Sequence, residues 1–147
     1  GYALVVVTNQ SGIARGFYTE DEYQVPTRHM VQALADQGAP LTAVYHCPHH
    51  PGGSVAPYAV ECDCRKPSPG MMLRAAAEWH LSLTDSILVG DKASDIEAGR
   101  AAGVGALFKV ASEYYDGPAA TPVTTSQRPV AEHADLLHCV TALLGPA

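Results

Sequence analysis

Nothing in this chain is apolar for long enough to cross a bilayer. Hydrophobic residues make up 47% of its 147 positions, yet no run of them approaches the roughly 18–20 that a membrane helix needs. Positive charge is scarce too. Nine Lys and Arg stand against fifteen Asp and Glu, for a net charge of −6, and no basic patch gathers them. That balance excludes nucleic acid and acidic membrane surfaces as expected partners. Any anion must then be held by a local cluster rather than by the field of the whole protein. Internal repeats and low-complexity tracts are missing as well, so residues 1–147 read as one globular domain. No leader peptide is expected, because Gly1 opens directly into an apolar run. Cysteine is sparse and lopsided. Three of the four lie between Cys47 and Cys64, and Cys139 stands alone as a small buried hydrophobe. A secreted disulfide framework is rarely so uneven, and reduced thiols on a metal in the cytoplasm fit better.

The apolar, β-branched run Gly1 to Val7 reads as a strand buried on both faces, ending at the polar string Thr8-Asn9-Gln10-Ser11-Gly12. That string is either a plain turn or a ligand-binding strand tip. Thr19 to Ala35 predicts a helix with Thr19 as N-cap and an acidic first turn, kinked or delayed by Pro26. Leu41 to Tyr45, Ser86 to Val89 and Val104 to Val110 predict further strands. Pro69 to His80 and Ile96 to Ala102 predict helices, the second ending at Gly103. Ser112 to Pro129 reads as a loop, Ala134 to Val140 as a last strand and Thr141 to Leu144 as a short closing helix. Alternation of strands and helices implies an α/β fold with a parallel, doubly wound sheet.

The stretch CPHHPGGSVAPYAVECDCRKPSP, Cys47 to Pro69, has no periodic apolar pattern and needs a clamp to become ordered. Cys47, His49, Cys62 and Cys64 supply three thiols and an imidazole, the ligand types of a closed, structural Zn²⁺ site. Their C-x-H and C-x-C spacing is unusual, and chance clustering is the plain alternative. His46 and His50 are secondary candidates for the place of His49. Such a clamp would fix Arg65 and Lys66, suited to phosphoryl oxygens, although a CRKP string is also compatible with a solvated pair. Asp91 follows a buried strand, with Asp95 four residues on. Helix capping by Ser94 or Asp91 and Mg²⁺ coordination beside a phosphate are equal readings of that spacing. Thr8 could donate to a phosphoryl oxygen.

The strings VVVTNQSGIARG, CPHH…CDCRKPSPGM and VGDKASDI together resemble the haloacid dehalogenase superfamily, and within it the D-glycero-D-manno-heptose 1,7-bisphosphate 7-phosphatase family, over nearly the whole chain. The histidinol-phosphate phosphatase family shares the zinc loop and CDCRKP and is the alternative. SGIARG and the longer CPHHPGGS loop favour the heptose enzyme. The resemblance implies a Mg²⁺-dependent phosphatase of lipopolysaccharide precursor synthesis acting on a small sugar phosphate; a cytoplasmic monomer is expected. It implies that Thr8 and Lys66 stabilise the transferring phosphoryl group. Asn9, Gln10, Ser11, Arg65 and Lys92 would contact substrate, Asp91 would bind Mg²⁺, and Cys47, His49, Cys62 and Cys64 would bind Zn²⁺. Asp95 is expected to orient the lysine or a metal-bound water. Lys66→Ala is expected to cut turnover and leave the fold intact.

One departure stands against this agreement. The superfamily's Asp-x-Asp-Gly-Thr string, which carries the nucleophile and the general acid and base, is absent from the sequence. The family's architecture implies that this string ends a strand between those of Ala3–Val7 and Ile87–Val89. The expectation is therefore an N-terminally incomplete domain whose parent hydrolyses phosphate monoesters. Taken alone, the chain is expected to be a zinc-stapled phosphosugar-binding module without catalysis.

Overall fold

A computed structural model describes residues 1–111 and 130–144. In chain order these form β1 (Val5–Asn9), α1 (Ser11–Ala14), α2 (Glu20–Asp36), β2 (Ala43–Cys47), α3 (Gly70–Trp79), β3 (Ile87–Gly90), α4 (Ala93–Ala102), β4 (Ala106–Val110), β5 (Ala131–His133) and α5 (Leu136–Leu144). All strand pairs among the described residues are parallel, as the alternation predicts. They fall into two pieces, β1–β2 and β3–β4–β5. Among the described residues, β1 is laddered only to β2, and β3 only to β4. The two pieces thus end in strands that each have one edge without a ladder partner.

Helix α3 ties the pieces together. Its hydrophobic face presents adjacent methionines to two cores. Met71 packs with Tyr45, Cys47 and Ala75, and Met72 with Ile96, Ala98, Ala102, Val104 and Leu107. Val7 of β1 touches both clusters. Burying a side chain of this size stabilises by about 1.5–3 kcal/mol.

Several boundaries differ from the sequence reading, each for a local reason. β1 begins at Val5 and runs through Thr8 and Asn9, because Thr8 and Asn9 pair with His46 and Cys47 on β2. α2 runs through Pro26, its start fixed by a capping box in which Thr19 and Glu22 bond each other's backbone N–H. α4 starts at Ala93 rather than Ile96. Neither Ser94 nor Asp91 caps it; the Asp95 carboxylate accepts from the Lys92 N–H at 3.0 Å. Residues 136–140, read as strand, are helix. Asp135 accepts from the His138 N–H at 2.8 Å, an N-terminal cap that outweighs the β-like apolar run. The expected loop 112–129 lies outside the described residues. Cys139 is buried, which pushes its thiol pKa up. No helix among the described residues is long and apolar enough to cross a membrane.

On the outer side of β2, the Tyr45 hydroxyl donates to Glu78, Trp79 Nε1–H donates to Tyr45 at 3.1 Å, and Arg74 donates to Glu78 at 2.7 Å. The Tyr45 hydrogen bond first, then Arg74, hold the Glu78 carboxyl below its ordinary 4.5. A depressed folded pKa contributes stability that is present above 4.5 and is lost as pH falls through the folded value. Glu78→Gln is therefore expected to flatten the fall of stability on the acid side, read from urea midpoints above and below pH 4.5. An unchanged acid slope would refute it.

Candidate functional site

The tips of β1 and β3 and the loop after Cys64 meet at Lys66. Asn9, the last residue of β1, grips the Lys66 backbone in both directions. Its amide donates to Lys66 O at 3.0 Å and its carbonyl accepts from Lys66 N at 3.0 Å. The lysine side chain turns inward. Its Nζ donates to Val7 O at 2.8 Å and pairs with Asp95 Oδ1 at 2.7 Å, with side-chain exposures of only 11% and 8%. The other Asp95 oxygen caps α4 through Lys92 N. Gly90 permits this approach, since a Cβ there would sit 2.4 Å from that of Asp95. The buried pair fixes one cation at the strand tips, with its desolvation offset by three bonds.

Thr8 accepts from Gln10 Nε2 at 3.0 Å, and Gln10 accepts from the Tyr18 hydroxyl at 2.7 Å, which leaves the Thr8 O–H to donate. Thr8 and Gln10 also line a cavity of about 460 Å³ that runs beneath α2 to Met30. Asp91 stands half-buried just beyond β3, with no side-chain bond among the described residues. Ser11 opens α1 beside Gln10.

The second part of the site is the thiol cluster. Ligand atoms of Cys47, His49, Cys62 and Cys64 all lie within 4.8 Å of one another. Cys64 Sγ is 3.0 Å from Cys47 Sγ and 3.3 Å from Cys62 Sγ. His49 Nδ1 is 3.4 Å from Cys64 Sγ and 3.8 Å from Cys47 Sγ. Zn–S bonds of about 2.3 Å give tetrahedron edges near 3.8 Å, so the donor set fits a zinc ion with small adjustment. Burial first, then mutual hydrogen bonding, pushes the Cys64 thiol strongly upward, and burial likewise raises Cys47. At Cys62 burial also pushes up, but thiol donation from Cys64 and Cys47 brings the net value down. Three thiols crowded together can share little negative charge without a cation among them.

The loop is also pinned from outside. Val55 N–H bonds Ala14 O at 2.9 Å, and Gly53 lies so close that a Cβ would meet the same oxygen at 2.5 Å. Glu20 accepts from Tyr58 at 3.1 Å and contacts His46 Nε2 at 3.1 Å, while Tyr23 stacks on His46 at 4.7 Å. The His46 hydrogen bond prevails over desolvation and lowers the Glu20 pKa. Arg65 donates to His49 O at 3.2 Å, and Arg15 Nη2 lies 3.1 Å from His50 Nε2. His46 and His50 therefore have partners outside the thiol cluster.

The structure brings Thr8, Asn9, Lys66 and Asp95 together at one point, and the four metal-ligand candidates at another. It spends the Asn9 side chain on the Lys66 backbone, so in this conformation Asn9 positions the lysine rather than facing a ligand. Arg15, Tyr18, Glu20 and Tyr58 belong to the site's surroundings but were not singled out from sequence. Only the SGIARG string, which carries Arg15, hinted at any of them.

The sequence profile of the family described as HAD-hydrolase-like matches residues 63–134. D-glycero-beta-D-manno-heptose-1,7-bisphosphate 7-phosphatase from Yersinia pestis is 51% identical over 105 residues, 71% of this chain and 56% of that protein. A D-glycero-alpha-D-manno-heptose-1,7-bisphosphate 7-phosphatase from Photorhabdus laumondii is 46% identical over 110 residues, 75% of this chain and 60% of that protein. The chain thus spans little more than half the length of these curated relatives. Among solved structures, D,D-heptose 1,7-bisphosphate phosphatase from B. bronchiseptica, complexed with magnesium and phosphate, matches with a TM-score of 0.74 and 28% identity. That match covers 99% of this chain and 75% of that one.

Proposed function

We propose that this chain, which resembles the haloacid dehalogenase-like hydrolases over residues 63–134, is the phosphate-binding part of a magnesium-dependent phosphatase that removes the 7-phosphate of D-glycero-D-manno-heptose 1,7-bisphosphate. The observation that carries this reading is the buried Lys66 amine, held between Val7 O and Asp95 at the tip of β1. A fixed cation there neutralises equatorial phosphoryl oxygens without reorganising during the reaction. Thr8 donates its free O–H to the same group, and Asn9 holds the Lys66 backbone in register. Arg65 and Lys92 contact the rest of the substrate. Both relatives named above act on a heptose bisphosphate, which favours that substrate over histidinol phosphate; they differ in anomer. We place the enzyme, as a monomer, in the cytoplasm, within lipopolysaccharide precursor synthesis.

Magnesium fits beside Asp91, a carboxylate with no competing bond among the described residues, and would supply further charge neutralisation at the phosphate. Asp95 is committed to Lys66 and Lys92 N and is not a ligand. Zinc fits the Cys47–His49–Cys62–Cys64 cluster as a structural cross-link with no place in the chemistry. The attacking carboxylate is not among the residues at these tips. We place the strand that carries it between β1 and β3, where each has an edge without a ladder among the described residues. A second reading rests on the same observation: without that strand the chain binds a phosphosugar and hydrolyses nothing.

The deciding assay is phosphate release from heptose 1,7-bisphosphate by the full-length protein. Release that requires added Mg²⁺ is expected. A folded, zinc-loaded full-length protein that releases none would overturn the phosphatase reading and leave the binding module.

A further inference from the structure

His50 is surrounded by donors. Arg15 Nη2 lies 3.1 Å from its Nε2, and the Gly52 N–H points at its Nδ1 from 3.0 Å. Arginine only donates, and so does a backbone N–H, whereas a neutral imidazole accepts at one nitrogen and donates at the other. Whichever tautomer forms, one N–H therefore faces another donor. Arg65 adds a third donor group through the same loop, on His49 O. Among the described residues no carboxylate pairs with Arg15 or Arg65. The two guanidiniums thus meet only neutral acceptors among the described residues, in a protein that carries net negative charge overall. Such a cluster is what an anion completes.

Position adds to this. Arg65 and Lys66 are consecutive, with Cα atoms about 3.8 Å apart, yet their side chains diverge. Lys66 turns inward to Val7 O and Asp95, and Arg65 outward to the zinc loop. Arg15 forms one wall of a depression of about 350 Å³ with Phe17, Gly52 and Ser54, and the Phe17 ring is 74% exposed. Ser54 donates to Arg15 O at 3.0 Å, which fixes the backbone that carries the guanidinium.

We propose that Arg15, seated on His50, completes a second anion subsite beside Arg65 that takes the phosphate not hydrolysed, and so selects bisphosphates over monophosphates. The proposal rests on the phosphatase reading given above. It assigns to Arg15 the specificity for a distal phosphate, while Lys66 serves the reacting one.

The test uses Arg15→Met and Arg15→Lys in the full-length protein, with heptose 1,7-bisphosphate and p-nitrophenyl phosphate as substrates. Arg15→Met is expected to lower the ratio of kcat/KM on the bisphosphate to that on the monophosphate about 30-fold, mainly through KM, with Arg15→Lys recovering part of the loss. An unchanged ratio would overturn the subsite, as would equal losses on both substrates. If the wild type hydrolyses neither substrate, the phosphatase reading fails and calorimetric binding of the heptose bisphosphate decides the subsite. Weaker binding by folded Arg15→Met upholds it, and equal binding removes it. Circular dichroism on both variants keeps misfolding from being read as lost recognition.

Discussion

Lys66→Ala in the full-length protein is expected to lose about 10²–10³-fold in turnover and, at the same time, stability. The catalytic part follows from removing a preorganised cation from the phosphoryl group. The stability part follows from Asp95, whose carboxylate is 8% exposed and would be left without its 2.7 Å partner. Breaking a buried pair on one side costs about 3 kcal/mol. The fold is expected to persist, as the sequence suggests, but with lowered stability. The two effects are separable. Lys66→Ala combined with Asp95→Ala should regain part of the stability in urea titrations but none of the turnover. Near wild-type turnover in the single variant would sink the role given to Lys66.

Metal removal is expected to have the second large effect. The purified protein should carry about one zinc per chain, and stripping it should lower the Tm by roughly 10 °C or more, since structural zinc supplies several kcal/mol of folding free energy. Cys64→Ser should do the same, as its sulfur lies within 3.5 Å of both other cluster thiols and of His49 Nδ1. Activity should fall with the metal, because Arg65 and Lys66 follow the last cluster residue directly. A melting curve unchanged after metal analysis confirms zinc loss would refute this account of the loop.

Most of this was legible where chemistry is concentrated in short strings. Thiols and imidazole repeated in one Pro- and Gly-containing loop point to a clamp, and the structure gathers their four donor atoms within 4.8 Å of one another. The cations beside it and the parallel sheet were equally readable. The misreadings came where tertiary contacts outweigh local pattern. Thr8 and Asn9 look like loop residues until β2 supplies the ladder partners that make them strand. Residues 136–140 read as β until the Asp135 cap turns them into helix. The Asn9 grip on Lys66 spans 57 residues of sequence, and the Arg15–His50 contact spans 35. No periodicity reports a pairing at that separation.

The bridging position of α3 has a kinetic consequence. β3, α4 and β4 lie within residues 87–110, so their contacts close short loops, whereas the β1–β2 ladder joins Val5 to Ala43. Loop-closure entropy makes distant contacts slower to form than local ones. The two pieces are thus suited to assemble separately and to dock along α3, where Met71 enters one core and Met72 the other. Lys66 belongs to the loop that precedes α3 and Asp95 to the helix that follows β3, so their ion pair closes only on docking. A half-assembled chain can hold its thiol cluster and still lack a phosphate site. The proposed phosphate site is thereby complete only once the two pieces have docked.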